Sequence, residues 1–210
     1  MSTEFVLDII SSASGLFPVA ALLYNYKYQD NLLKIISVFF VVSAVFDAIL
    51  WLLPGWGVTN NVPAVHLFII INIVFFGVIY YKAFFNKKLK MLTLVLSIPV
   101  LGLALLYSTD IWVYPSVSNT ASSILFIILS LFYFYQLLSR QEFIHIEKQG
   151  LFWFNAGVLF YFSINIFLFM LFNQIPKAEQ PSYYIINNIT NIIANLLYAT
   201  GCLCKPQKTT

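Results

Sequence analysis

The stretch Leu67–Tyr81, LFIIINIVFFGVIYY, contains no charged residue and no polar/apolar alternation. A barrel strand with one lipid face and one wet face would alternate, so this pattern selects a helix. A helix satisfies its own backbone hydrogen bonds and can therefore lie in hydrocarbon. Leu151–Phe172 reads the same way. Working outward, seven apolar stretches stand at roughly 5–25, 31–53, 63–85, 89–107, 118–138, 151–173 and 183–204. Each approaches the ~20 residues that a helix needs to cross ~30 Å of hydrocarbon. The expected fold is an all-α membrane protein, a single seven-transmembrane-helix bundle filling residues 1–210.

Composition agrees. Of the 210 residues, 60% are hydrophobic and 9% are charged, and the mean hydropathy is +0.86. Soluble domains carry about 25% charged residues, so an ordinary water-facing surface is not encoded. Nucleic-acid readers, soluble dinucleotide-binding or barrel enzymes and secreted disulfide scaffolds are excluded. Pro18 and Pro99 each remove a backbone donor within a stretch, which predicts kinks in the first and fourth helices.

Basic residues give the direction. Lys27, Lys34, Lys82, Lys87, Lys88, Lys90, Arg140, Lys148, Lys205 and Lys208 fall on one side, and only Lys177 falls on the other. The asymmetry predicts N-terminus out and C-terminus in, which needs an odd number of spans. The expected location is the inner (cytoplasmic) membrane of a bacterial cell, with several passes. Cys202 and Cys204 would then face a reducing cytoplasm, where no disulfide is expected. A lone C-x-C is short of the four ligands of a closed zinc site, and neither metal nor cofactor is expected.

The N-terminal stretch carries Glu4 and Asp8 but no basic region or small-residue cleavage site, so it does not read as a signal peptide. No loop exceeds a dozen or so residues. Activity is therefore expected within the bundle or through a separate partner. Trp51, Trp56 and Trp112 fall near the outer boundary and Trp153 near the inner one, as aromatic belts do. Ser139–Gly150 mixes Arg140, Glu142, Glu147 and Lys148 with Phe143, Ile144 and Ile146 and reads as an interfacial stretch, with His145 as a solvated loop residue.

Polar side chains inside hydrocarbon are costly and normally face the bundle interior. Asp47 is the one acid clearly within a span, on the second helix toward the outer side. Ser43, Asp47 and Trp51 make a short stripe there. Asp8 and His66 lie near the outer ends of the first and third helices. Asn72 is deeper on the third, and Tyr161 and Asn165 pair on the sixth. On the seventh, Tyr184, Asn187, Asn188, Asn191, Asn195 and Tyr198 share one face for about four turns. These groups point to a polar cavity opening outward, with Asp47, Asn72, Asn165, Asn187, Asn188 and Asn191 as candidate ligand contacts and His66 as a possible proton partner. The alternative is that the asparagines hydrogen-bond between helices at ~0.6 kcal/mol each.

Several families fit the helix count. A microbial rhodopsin requires a retinal-binding lysine within the last helix, and 183–204 contains none. Sugar transporters of the SWEET and PQ-loop type hinge on a proline in the first helix of each repeat; Pro18 serves one, but 118–138 has no proline. Size and hydropathy resemble the small lysoplasmalogenases, whose hydrolysis of vinyl-ether lysolipids would need acid/base groups such as Asp47, Asp8 and His66 at the membrane boundary. That family's local motifs are absent around Phe46-Asp47-Ala48. HIEKQGLFWFNAGVLFYFSINIFLF (His145–Phe169) and NLLYATGCLCK from Asn195 resemble small seven-helix integral membrane proteins common in Bacteroidota. NNVPAVHLFIIINIVFFGVIYYKAF resembles them less sharply, and the segments together cover about 60 of 210 residues. The resemblance implies the seven-helix count and a sensing or signalling role, and carries over no catalytic residue.

The leading expectation is a sensor or receptor-like module. It would bind a small molecule or lipid from outside and signal to a separate cytoplasmic or membrane protein. An outer-leaflet lipid hydrolase and a small-molecule transporter are the alternatives. The transporter reading is weakened by inner halves that look sealed, at Phe152–Val158 and Phe76–Ile79. No nucleic-acid partner is expected.

Overall fold

A computed structural model of the chain describes residues 3–58, 60–107, 110–139 and 145–205. Residues 140–144 of the expected interfacial stretch, among them Arg140, Glu142, Phe143 and Ile144, lie outside the described residues, as does Lys208. Among the described residues the regular structure is helical, with no strand. The helices are α1 (Thr3–Ser14), α2 (Leu16–Asn25), α3 (Asn31–Leu52), α4 (Val62–Ala83), α5 (Lys87–Leu106), α6 (Ser116–Leu138), α7 (Gly150–Leu171) and α8 (Gln180–Leu203). With α1 and α2 taken as one broken rod, seven rods match the seven apolar stretches to within three residues at each end.

Six rods are long and apolar enough to cross a membrane by length and composition. The remaining rod is α8, whose asparagines dilute its hydropathy. Its direction supports counting it with the others. Ser182 bonds Glu4, Asn188 bonds Asp8, Asn191 bonds Ser11 and Asn195 bonds Ser14, at a nearly constant sequence offset of 178 to 181. A constant offset means parallel helices. In an up-and-down bundle the first and last rods run parallel only when the number of rods is odd.

Local chemistry sets the ends. The Asp30 carboxylate accepts from the amides of Leu32 and Leu33 at 2.9 and 2.7 Å and starts α3, as an N-cap should. Asn86 does the same for α5 through Lys88. Pro63 and Pro181 occupy the first turns of α4 and α8, where a missing N–H costs nothing. Gly57, at φ +79°, closes the turn after α3 in the left-handed region that glycine tolerates.

At the kink expected from Pro18 the regular helix is interrupted for one residue, Gly15, whose backbone stays in the right-handed helical region. Pro18 has no N–H for the Ser14 carbonyl, so α1 stops at Ser14 and a new helix begins at Leu16. Gly15 bridges the two, with its amide turned back to the Ser12 carbonyl at 3.1 Å. Pro99 has a milder effect, since α5 continues through it without a break.

The rods close a ring in chain order, α8 returning against α1 and α2, while α4 also contacts α6. The core is aromatic and lies in the half nearer the basic loops. Phe76 stacks on Phe126 at 4.3 Å between centroids and touches Phe39, Phe154 and Phe162. Ile79, Tyr80, Leu129 and Val158 are fully buried there. The outside of the bundle is the reverse of a soluble protein: Leu23, Ile98, Leu106, Leu138 and Phe167 are all more than 60% exposed. Contiguous apolar surface on this scale is unusual for a protein surrounded by water.

α7 and α8 meet most closely at two glycines. A Cβ on Gly150 would stand 2.6 Å from the Gly201 carbonyl, and one on Gly201 would stand 2.7 Å from the Gly150 carbonyl. About two turns along α7, the Tyr198 ring covers Gly157 so closely that a Cβ there would overlap it. Small residues let backbones approach in this way where lipid offers no hydrophobic drive.

Candidate functional site

The asparagine stripe of α8 is divided between two neighbours. Asn188, Asn191 and Asn195 face α1, as above, and continue a polar seam that ends with Asn25 and Gln29. The side-chain amide of Asn25 donates to the carbonyls of Cys202 and Cys204, and Gln29 also reaches Cys202. Asn187 turns instead toward α7 and accepts from the Tyr161 hydroxyl at 2.7 Å. Asn165 donates to the Thr190 hydroxyl at 2.6 Å and to the Tyr161 carbonyl. The amides of Asn187, Asn188 and Asn191, expected as ligand contacts, are thus engaged with other helices.

What remains is a set of oxygens without donors. Ser43 Oγ, Asn72 Oδ1 and Asn165 Oδ1 are buried and have no hydrogen-bond partner. Ring contacts between Phe39 and Phe75 and between Phe46 and Phe68 fix the antiparallel register of α3 on α4. That register puts Ser43 and Asn72 at the same height. The Phe76–Phe162 contact on α7 brings Asn165 to a similar height. Asp47 follows Ser43 by one turn, partly buried. Its Oδ2 lies 3.4 Å from where a Cβ on Gly15 would be, so the carboxyl rests against the break between α1 and α2. No hydrogen-bond donor among the described residues reaches it. Tyr161 and Tyr184 lie within its electrostatic reach, and Tyr184 lies within that of Asp8. Other unpartnered hydroxyls are Ser97 on α5 and Ser116, Ser118 and Thr120 at the start of α6.

His66 lies in the first turns of α4, at the end of the helix where its position in the sequence put it. It is buried, and its Nε2 lies 3.0 Å from the Val113 carbonyl. A carbonyl only accepts, so Nε2 carries the proton in this contact. Asn60 donates to the carbonyl of Trp112 and Asn173 to that of Tyr114. Three successive carbonyls of the α5–α6 loop are thus held from three places, and the loop is pinned over the end of the bundle. His66→Phe is expected to speed amide hydrogen exchange across residues 110–115 while leaving the helices protected. Unchanged exchange in that loop would remove this role from His66.

Several polar partners have no signal in the sequence. The buried Tyr80 hydroxyl donates to Asn155 at 2.7 Å, and Ser130 donates to the Asn155 carbonyl. Gln136 accepts from the Phe85 amide and donates to Ala83, closing the end of α4. Ser11 and Ser14 were legible in principle, being spaced three and six residues after Asp8 on one helical face.

Cys202 and Cys204 are free thiols, and Cys204 Sγ is turned to the Thr200 carbonyl. Among the described residues no group of three His, Cys, Asp or Glu is placed to hold a metal. No protein-family model, curated protein or solved structure matches the chain.

The polar seam carries its own test. Asn195→Leu and Ser14→Ala should each weaken the α1–α8 pairing, and a double-mutant cycle should give a coupling of about 0.6 kcal/mol. Strict additivity would show that the 2.8 Å contact contributes nothing.

Proposed function

We propose that the chain is a multi-pass protein of the bacterial inner membrane, N-terminus outside and C-terminus inside. It acts as a sensor that binds a small molecule or lipid between α3, α4 and α7. The apolar outside of the bundle supports the membrane placement, and the Lys/Arg distribution supports the direction. One observation carries the functional reading: three buried oxygens, of Ser43, Asn72 and Asn165, lack donors and lie close in height to the Asp47 carboxyl. A buried polar atom without a partner costs ~1–3 kcal/mol, which a ligand bearing N–H or O–H groups would recover.

Occupation of that site would act on the α1–α2 break, because the Asp47 carboxyl rests against Gly15. Rearrangement would be read by a signalling protein at the basic inner loops. The transporter alternative meets a closed aromatic plug around Phe76 and Tyr80. The lipid-hydrolase alternative needs an acid/base pair, and the one nearby imidazole is engaged by the Val113 carbonyl.

The test is native mass spectrometry from lipid nanodiscs, comparing wild type with Asp47→Asn and with Asn165→Leu. A bound mass in the wild type that is lost in both variants is the expected result, with helicity unchanged by circular dichroism. No adduct in the wild type, or one that survives both substitutions, would return these residues to helix packing. A lipid product released by the wild type and not by Asp47→Asn would favour the hydrolase.

A further inference from the structure

Two shallow, open hollows lie at the end of the bundle that carries the lysines. One, of about 380 Å³, sits between the α4–α5 turn and α6 and has no charged side chain in its wall. The other, of about 550 Å³, lies where the turn 146–148, the start of α7 and the end of α8 meet. Its wall contains Lys148 and Lys205, with Glu147, Trp153, Thr200 and Leu203. The volume suits a small polar ligand or headgroup.

Three features make this hollow favour an anion. Lys148 and Lys205 both border it, the latter with its ammonium 5.3 Å from the Tyr28 ring. The N-terminus of α7 opens beside it with no side-chain cap, so the positive end of a 22-residue helix is uncompensated there. Most of the carbonyls at the negative end of α8, which would oppose an anion, are engaged. The Cys202 and Cys204 carbonyls accept from Asn25 and Gln29, and Gly201 accepts from the Cys204 amide. The acid in the wall, Glu147, is exposed, tied to His145 at 3.1 Å and within electrostatic reach of Lys148.

The hollow also has a lipid-facing side. Leu203 is half exposed. The Trp153 indole N–H donates to the Glu147 carbonyl at 2.7 Å, which fixes the ring between the turn and the bundle. An indole at that level sits where headgroups meet acyl chains. Basic pockets between helices on the cytoplasmic side of a membrane suit phosphate headgroups, because each lysine adds attraction in a partly desolvated setting.

We propose that this hollow binds the phosphodiester headgroup of an acidic phospholipid of the inner leaflet, with Lys148 and Lys205 on the phosphate and Leu203 and Trp153 along the acyl chain. The inference rests on the membrane placement above, and it is independent of the ligand site at Asp47.

The experiment uses full-length protein in nanodiscs of mixed phosphatidylcholine and phosphatidylglycerol, followed by native mass spectrometry of retained lipid. Wild type is expected to retain phosphatidylglycerol in preference to phosphatidylcholine. Lys148→Gln with Lys205→Gln should weaken that retention about thirty-fold, while Lys148→Arg with Lys205→Arg should preserve it. Equal retention by the glutamine pair would overturn the assignment. So would an equal loss from Lys87→Gln with Lys88→Gln, which would show diffuse surface charge instead of a site. Displacement of the lipid by millimolar inorganic phosphate would identify a free-phosphate site and overturn the lipid assignment.

Discussion

Gly201→Val should destabilise the bundle by about 3 kcal/mol or more, the upper range for forcing atoms into a packed interface. A Cβ at Gly201 would meet the Gly150 carbonyl at 2.7 Å; that oxygen belongs to helix backbone, and the helix also fixes where the Cβ stands. No rotamer change relieves that contact; α7 and α8 must separate. Separation would also pull Thr190 from Asn165 and Asn187 from Tyr161, which hold α7 and α8 together beside the candidate ligand site. Thermal unfolding in nanodiscs, followed by circular dichroism, checks it. Gly102→Ala is the control: nothing lies within 4 Å of its Cβ position. There the better helix propensity of alanine should leave stability unchanged or raise it by up to ~1 kcal/mol. Similar melting of Gly201→Val and wild type would overturn the close α7–α8 crossing.

Phe76→Ala should cost about 3 kcal/mol, the low end of the range for a large aromatic in a packed core. Phe76 is 2% exposed and in ring contact with Phe39, Phe126, Phe154 and Phe162. Lipid is as apolar as the core, so the loss is mainly one of packing contacts and the cavity left behind. Phe76→Leu, which fills most of the volume, should cost clearly less. The same pair tests whether the inner half is closed by packing. Flux of a small solute through proteoliposomes should stay at background in wild type, and a rise in Phe76→Ala alone would mark Phe76 as the plug. Equal stability of Phe76→Ala and wild type would remove the aromatic cluster as the centre of the fold.

The positions of the rods were legible because hydropathy is a property of consecutive residues. Leu67–Tyr81 cannot be anything but a helix in an apolar medium, and the observed α4 extends it at both ends. The stripe on α8 was legible because helical periodicity puts Asn188, Asn191 and Asn195 on one face. Its destination was not. A periodic pattern gives a face and says nothing of what opposes it, and that face meets Asp8, Ser11 and Ser14 about 180 residues away in sequence. His66 shows the same limit: its depth was readable, while its partner at Val113 comes from a loop whose path depends on the whole bundle. The break at Gly15 was only half legible. Pro18 announces a lost hydrogen bond, but whether a helix bends or stops depends on what can stabilise its loose end, and here the Asn195 amide engages the Ser14 side chain.

By itself, the sequence determined an all-helical chain of seven rods, the places where they begin and end, the polar face of α8 and the gathering of lysines at alternate loops. These follow from side-chain transfer energies, caps and the 3.6-residue repeat, all of which act locally. The tertiary structure decided which polar groups are satisfied and which are left over. Most of the α8 asparagines found partners on α1 and α7, while Ser43, Asn72 and Asn165 kept oxygens with none. Satisfaction of a hydrogen bond is a property of a pair, and only packing the seven rods into a ring brings the pairs together.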